Sequence, residues 1–360
     1  MLEGLDGVAW AGLEHAYGSA ADVPDLIRAL RDTDPAARQN ARRGLYGNIF
    51  HQGTRYEASA HAVPFLIELL ADPGTRERNE LLSLLTSLAI GYDESWLPDP
   101  FPVASYRRRA LADVELRVYD AVRSGVPLYC ALLVDEEPAV RLAAAYALGW
   151  FGEDAVAVTG PLVAAVGDRR AATGATALVA LGLVGAAERV VRAALTDDRE
   201  LVRWGAAVAH ARLRGPAADP AAVTELLSWA GGDRPSEREI PYLDGDLSGL
   251  AGLALRQVGD AHAEAAFDAL LARIPAVSGP ESLPVVGEAL RRAFPDGRLA
   301  QGARFADLDA RQRRLVRALA DSPGTWGWGR APVFGNFMGL VLSYGLPFNP
   351  ETMRTFVAEP

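Results

Sequence analysis

The sequence predicts an all-α chain built from stacked helical hairpins, and two observations carry this prediction. The first is an internal repeat in the middle of the chain: the pair Val140-Arg141 recurs as Val202-Arg203, 62 residues later. The second is the order within each copy, where a short apolar segment is followed by an acidic turn and then by an Ala-rich segment. Two helices of this kind bury their apolar faces only against neighbouring copies, so the pattern indicates a solenoid.

Three copies align over residues 135–149, 168–182 and 197–211, and a more diverged copy begins at Asp34. The ending Ala147-Leu148-Gly149 recurs 33 residues later at positions 180–182. We expect the acidic residues of each turn to supply the N-cap and a first-turn carboxylate of the helix that follows. The alanines let neighbouring helices approach closely, while the larger apolar residues fill the space between layers.

The turn acids Asp135 and Asp197, the two Val-Arg pairs and the Ala-Leu-Gly endings resemble the HEAT-repeat superfamily, in particular its short bacterial form related to phycobilisome-lyase repeats. Ankyrin repeats match the period better, but their Thr-Pro-Leu-His signature is absent from the chain. The resemblance is clear over residues 126–213 and extends to residues 22–91. It implies a right-handed superhelical solenoid of HEAT-like helical hairpins.

Apolar periodicity divides the chain into three expected regions. Residues 1–125 are expected to form N-terminal HEAT-like hairpins with an insertion loop at 91–105, residues 126–215 the regular repeats, and residues 216–360 diverged helical repeats that end in an aromatic cap near Trp326. Pro64 predicts a kink or a late start of its helix. The predicted helices outside the regular repeats cover residues 23–30, 36–50, 56–70, 76–90, 250–258, 263–274, 283–294, 308–320 and 336–344.

Composition excludes several classes of function. All 36 basic residues are arginine, so Schiff-base chemistry, lysine general bases and the phosphate-binding P-loop have no amine to use. A net charge of −10 makes a large nucleic-acid footprint unlikely on electrostatic grounds and favours a basic partner. The abundance of Ala, Gly and Arg is typical of a high-GC bacterial genome.

The chain has one cysteine, Cys130, and no Cys/His cluster with the spacing of metal ligands. The N-terminus lacks the basic segment and apolar core of a signal peptide, and the longest apolar stretch, residues 175–187, is too short to span a bilayer. We therefore expect a cytoplasmic protein with no membrane association, no metal and no cofactor.

Two groups of residues are candidates for binding. Polar side chains crowd the junction between two predicted helices, and the stretch resembles a junction in actinobacterial HEAT-like proteins; the alternative is that these groups only cap helix ends. The second helix of each regular hairpin is expected to line a concave face. The candidates are Asn48, His51, Gln52, Arg55 and Tyr56 in the junction, Tyr92, Asp93 and Trp96 in the insertion loop, and Arg141, Trp150, Arg203 and Trp204 on the concave face.

Signatures of catalysis are weak. The five histidines are scattered, without a His-Glu-x-x-His pair, and His210 stands at a core position of its repeat. The segment 244–249 matches half of a calcium loop, but Leu255 holds the place of its bidentate glutamate. Arginine clusters at 107–109 and 311–317 are expected to form intrahelical ion pairs.

The sequence thus predicts a protein-binding scaffold or adaptor, with a toxin-immunity or regulatory partner as one form of it. The alternatives are an enzyme with a pocket in the solenoid, lyase-like or DNA-glycosylase-like, and a nucleic-acid binder. The enzyme requires that His51, Tyr56, Tyr92, Asp93 and Trp96 converge in one closed pocket.

Overall fold

A computed structural model describes residues 1–108, 114–232, 234 and 236–358. Arg109 of the first arginine cluster and two positions in the polar loop at 231–249 lie outside the described residues. The predicted all-α fold of helical hairpins is confirmed: the described part contains nineteen α-helices and four two-residue strands. The chain forms two compact units, Met1–Val191 and Arg192–Pro360. This division does not test the three predicted regions, which stay a prediction.

Unit 1 is made of consecutive helices joined by short turns. Its helices are α1 (Val23–Ala29), α2 (Pro35–Asn48), α3 (Glu57–Ala71), α4 (Arg78–Ile90), α5 (Val103–Arg108), α6 (Val114–Arg123), α7 (Val126–Leu132), α8 (Pro138–Leu148), α9 (Ala155–Val166) and α10 (Ala171–Val184), and α11 (Glu188–Ala193) contains the boundary. The first four begin and end within three residues of the predicted segments. Helix α3 begins at Glu57 and continues through Pro64, so the late start offered for it is wrong.

The helices of unit 1 pack in the arrangement expected of stacked hairpins. Helix α7 packs on α8 and α9 on α10, while α8 also contacts both α4 and α10, so that the second helices form a continuous row. Helix α6 packs on both α3 and α4. Close packing of α8 and α10 explains why the first Ala-Leu-Gly ending has a glycine. A Cβ atom on Gly149 would lie 3.0 Å from the Cα of Ala180, the alanine of the next Ala-Leu-Gly.

The turns inside successive hairpins are linked by a network of arginines, each six residues after a turn aspartate. Nη1 of Arg141 donates to the carbonyl oxygens of Asp135 (2.9 Å) and Glu136 (3.2 Å), and Nε reaches Asp168 of the next turn at 2.6 Å. We call this set the turn network. It consists of Arg38 with Glu77, Arg78 with Asp135, Arg141 with Asp168, and Arg203 with Glu225.

The turn acids have a different role from the one expected. Asp135 and Asp197 do not cap their helices; each accepts a hydrogen bond from the backbone N–H two residues ahead and also binds an arginine side chain. The N-cap positions of α8 and α10, Glu137 and Arg170, make no side-chain capping bond. Only Asp34 caps as predicted, accepting from the N–H of Ala36. At Asp135 and Asp168, the carboxylate of one turn neutralises a guanidinium from an earlier hairpin, that of Arg78 and Arg141 respectively.

Two β-hairpins flank α1 and α2 and were not predicted. The first pairs β1 (Glu14–His15) with β2 (Gly18–Ser19), and the second pairs β3 (Phe50–His51) with β4 (Thr54–Arg55). The second has a two-residue loop in which Gln52 (φ 50°) and Gly53 (φ 83°) both adopt positive φ. Positive φ at both loop positions matches the right-handed twist of paired strands, so the junction between α2 and α3 is a hairpin.

Unit 2 is also built of helices around an apolar core. It contains α12 (Glu200–Arg214), α13 (Pro220–Ala230), α14 (Leu247–Ala254), α15 (Ala263–Arg273), α16 (Ser282–Ala293), α17 (Ala310–Asp321), α18 (Gly335–Ser343) and α19 (Pro350–Ala358). His210 is buried, as its repeat position requires. Trp326 of the aromatic tail is fully buried against Phe337 and donates to the carbonyl of Leu319, so it belongs to the core next to α17.

Three arginines of the two clusters, Arg107, Arg311 and Arg314, pair with carboxylates outside their own helices, so the expectation of intrahelical pairs is wrong for these three. Arg107 binds Asp120 and Glu153, and Arg314 binds Glu264 and Asp268. Each arginine therefore fastens two helices. In the described ranges, no helix is long and apolar enough to cross a bilayer.

Candidate interaction surface on unit 1

The hairpin β3–β4 stands at the centre of an exposed aromatic surface. The His51 ring lies 5.4 Å from the Tyr17 ring in an edge-on arrangement, and its Nδ1 is 3.4 Å from the Tyr17 hydroxyl. On the other side of the hairpin, the Tyr92 ring lies 5.4 Å from Phe50 and covers Gly53, where a Cβ would come within 3.1 Å of it. Tyr17 and Tyr92 therefore flank the hairpin.

The first hairpin is fixed to α2 by a polar network. His15 accepts from the Tyr17 backbone N–H at Nδ1, so its Nε2 carries the proton that is donated to Asp22 at 2.9 Å. Asn48 donates from its side chain to the second oxygen of Asp22, and its carbonyl accepts from the N–H of Ala16. These bonds hold the loop that carries Tyr17 against the C-terminal end of α2.

The surface continues to the end of α8. Tyr146 donates from its hydroxyl to Asp93 at 3.0 Å, and its ring meets Trp150 edge-on at 5.9 Å. Asp93 directly follows Tyr92 in the chain. We call the set Tyr17, His51, Tyr92, Asp93 and Tyr146 the tyrosine edge.

Buried Arg55 and half-buried Tyr46 support the tyrosine edge from below. Arg55 is 8% exposed; it donates to the carbonyl of Gly53 at 2.6 Å and comes close to Gly91 at the end of α4, where a Cβ would be 2.8 Å from its Nη1. Tyr46 of α2 contacts Phe50 edge-on, and burial raises the pKa of its phenol to about 12 against a hydrogen bond with Ser87. The hairpin therefore rests on a rigid base.

The structure brings together only part of the predicted junction and loop set. Asn48, His51, Gln52 and Arg55 lie at the hairpin with Tyr92, and Asp93 joins them through Tyr146. Tyr56 begins α3, with its backbone N–H donating to Ser59. Trp96 donates to the carbonyl of Ile90 and packs edge-on against Phe101 at 5.0 Å, so it does not meet His51 in one pocket.

The four residues predicted for a concave face have structural contacts. Arg141 and Arg203 belong to the turn network, and Arg141 binds Asp168, where burial raises the carboxyl pKa but the bonds from Arg141 and the Arg170 N–H hold it below its usual value. Trp150 and Trp204 are 2% and 0% exposed, and the Trp204 indole donates to the carbonyl of Leu247. A binding role for these residues stays a prediction.

Sequence reasoning missed Tyr17 and Tyr146. Tyr146 had a readable signal, because it interrupts a run of alanines in α8 where repeat packing favours a small residue. Tyr17 had none, since the six-residue hairpin that presents it has no apolar periodicity. The pair Gln52-Gly53 is also a hairpin signal, though weaker than Asn-Gly.

Comparison with known proteins concerns the helical repeats. Residues 126–150 match the model of the HEAT repeat; they contain the whole α7–α8 hairpin, Arg141 and Trp150. The HEAT-repeat resemblance is therefore confirmed for this segment. No curated protein matches the chain.

Three solved structures are similar to parts of the chain at low identity. An engineered protein is 21% identical, with 66% of this chain and 96% of that chain covered and a TM-score of 0.38. A designed armadillo repeat protein is 16% identical, with 66% and 100% covered and a TM-score of 0.37. Importin beta is 14% identical, with 89% and 51% covered and a TM-score of 0.33.

Proposed function

We propose that this protein is a cytoplasmic binding scaffold whose tyrosine edge holds a segment of a protein partner. The observation that carries the proposal is the pair of phenol rings at 70% and 46% exposure, Tyr17 and Tyr92, on either side of a firmly supported hairpin. Exposed tyrosines on rigid elements are well suited to binding, because they offer a large apolar area and a polar tip at little cost in side-chain entropy.

The partner segment is proposed to be basic. Glu94 is exposed beside Tyr92, and the chain carries a net charge of −10. An arginine or lysine over a phenol face gains a cation–π contact, and nearby carboxylates add to it and speed the encounter. More specifically, we propose that the protein is a regulatory adaptor or a toxin-neutralising protein of the short bacterial HEAT type.

Selection from a displayed peptide library against the full chain tests this function. We expect enriched peptides to contain arginine or lysine with apolar neighbours, and Tyr17→Ala combined with Tyr92→Ala to weaken their binding by about tenfold or more, the size of effect seen for central aromatic anchors. Val156→Ala is the matched control, because Val156 is fully exposed in unit 1 but lies on α9.

Two results would contradict the proposal. One is enrichment of peptides without basic residues. The other is equal binding to the double variant and to the Val156 control. Unchanged circular dichroism of the double variant separates lost binding from lost folding.

A further inference from the structure

Unit 2 contains a cavity that the proposed function does not use. Its volume is about 390 Å³, within the range of small-molecule sites. It lies where the loop before α14 approaches the end of α15. It is lined by Gly232, Arg234, Ser236, Arg273, Ala276, Val277 and Glu281.

Arg273, the last residue of α15, contributes to the lining of this cavity. The side chain is 4% exposed, and its Nη2 donates to Oδ1 of Asp246 at 2.6 Å. A guanidinium beside a cavity favours an occupant with a negatively charged group.

Arg234 adds a second guanidinium to the same cavity. Its guanidinium carbon lies 4.0 Å from the centre of the Trp229 ring, and one of its nitrogens pairs with Glu200. Stacking on an aromatic face fixes the plane of the guanidinium and leaves its remaining N–H groups free to be directed at a ligand. The two arginines thus form the positive side of the cavity.

Glu281 supplies a negative charge to the lining of the cavity. It accepts a hydrogen bond from the Ser236 hydroxyl at 2.5 Å, a neutral donor. Glu200 and Asp246 are each already engaged by a guanidinium. Glu281 is therefore the carboxylate of the lining set whose charge is available to a cationic group.

We propose that this cavity binds a small zwitterion, with a carboxylate at Arg234 and Arg273 and an ammonium group at Glu281. A free amino acid has this pattern. Its carboxylate pairs with the guanidinium charge of Arg234 and Arg273, and its ammonium pairs with Glu281, whose charge would otherwise repel an anion. This site is independent of the tyrosine edge.

Calorimetric titration of the full chain with a set of L-amino acids, and with the amines that lack their carboxylates, tests the proposal. At least one amino acid is expected to bind, and its matching amine to bind about tenfold more weakly or worse, as loss of a charge-assisted bond implies. Arg234→Gln is expected to weaken the amino acid by a similar factor. Arg238→Gln is the matched control, because Arg238 is exposed in the same loop and is not part of the lining.

The Glu281→Gln variant tests whether the ligand of the cavity is a zwitterion or a simple anion. The variant is expected to lose affinity for the amino acid and to keep its affinity for the 2-hydroxy acid of the same side chain. Binding of no amino acid in the set, equal binding of the amines, or equal losses in the Arg234 and Arg238 variants would overturn the proposal.

Discussion

The two ends of the second helices in unit 1 carry different chemistry. Near their N-termini, Arg38 of α2 and Arg141 of α8 are held by turn carbonyls and by a carboxylate of the next turn. Near their C-termini, α2 presents Asn48 and α8 presents Tyr146 to the tyrosine edge. At the first end the partners belong to the chain itself, whereas at the second the rings of Tyr17 and Tyr92 are left exposed to other molecules.

Each of these helices therefore contributes to stability at its N-terminal end and to a candidate binding surface at its C-terminal end. The turn network fixes the spacing between hairpins, so changes there should appear in stability. The tyrosine edge depends on that spacing but contributes little to it, so changes there should appear in binding. The following predictions test this separation.

The largest effect is expected for Arg141→Met. The substitution keeps the apolar stem but leaves Asp168 as a poorly solvated charge without its guanidinium, and it removes two bonds to turn carbonyls. We expect the free energy of unfolding to fall by about 3 kcal/mol, as for a broken buried ion pair. Chemical denaturation measures it. Arg43→Met, at an exposed position on α2, is the control and should change stability by less than about 0.5 kcal/mol.

A smaller loss of stability is expected when the pH is lowered. Arg141 holds the pKa of Asp168, and Arg38 that of Glu77, below their usual values, although burial acts in the opposite direction on both. A lowered folded-state pKa means that these pairs stabilise the native state at neutral pH and lose that contribution as pH falls from about 4 through the folded pKa. Denaturation between neutral pH and pH of about 3 should therefore show falling stability.

The Arg141→Met variant shows which pair is responsible. Its unfolding free energy should fall less steeply over the same acid range, because Asp168 loses the Arg141 guanidinium, which favours its charged form. Asp246 in unit 2 acts in the opposite sense, since burial raises its pKa and protonation then favours the folded state. An unchanged acid slope in the variant would assign the effect to other carboxylates.

The smallest effect is expected for Tyr146→Phe at the tyrosine edge. The variant loses the hydrogen bond from the hydroxyl to Asp93 and keeps the ring against Trp150. A loss of about 1 kcal/mol is expected from thermal or chemical unfolding, the usual net value for such a bond. Tyr17→Phe, whose hydroxyl is 3.4 Å from His51 on an exposed surface, should lose less than about 0.5 kcal/mol. A larger loss of stability for Tyr146→Phe than for Arg141→Met would mean that the tyrosine edge, and not the turn network, fixes the hairpins.

Most helices of unit 1 could be predicted because their signals are local. The repeated turn and Ala-rich segment predicted α8 and α10, as they did α12 of unit 2, and apolar periodicity predicted α1 to α4. The role of the arginines was also present in the sequence, in the constant separation of six residues from Asp32 to Arg38 and from Asp135 to Arg141. The sequence did not reveal that each guanidinium also binds a carboxylate of a later hairpin, because this contact depends on packing between distant segments.

The candidate surface was only half predictable. His51 and Gln52 stood out as polar residues between two apolar segments, but Tyr17 and Tyr146 lie 34 residues before and 95 residues after His51. They reach it only because a hairpin folds back on α2 and α8 lies beside α4. Helix α13 and helix α19 were missed for a simpler reason, since both are short, begin at a proline and follow no repeated pattern.

The turn network has a consequence for how such a chain can change its length. Two joints take their guanidinium from one hairpin and their carboxylate from the turn of a later hairpin: Arg78 with Asp135, and Arg141 with Asp168. A hairpin duplicated together with its own turn therefore arrives with both halves of the joint, one for each neighbour. Gly174, six residues after Asp168, lacks the guanidinium half, so a copy made from that hairpin would not extend the series.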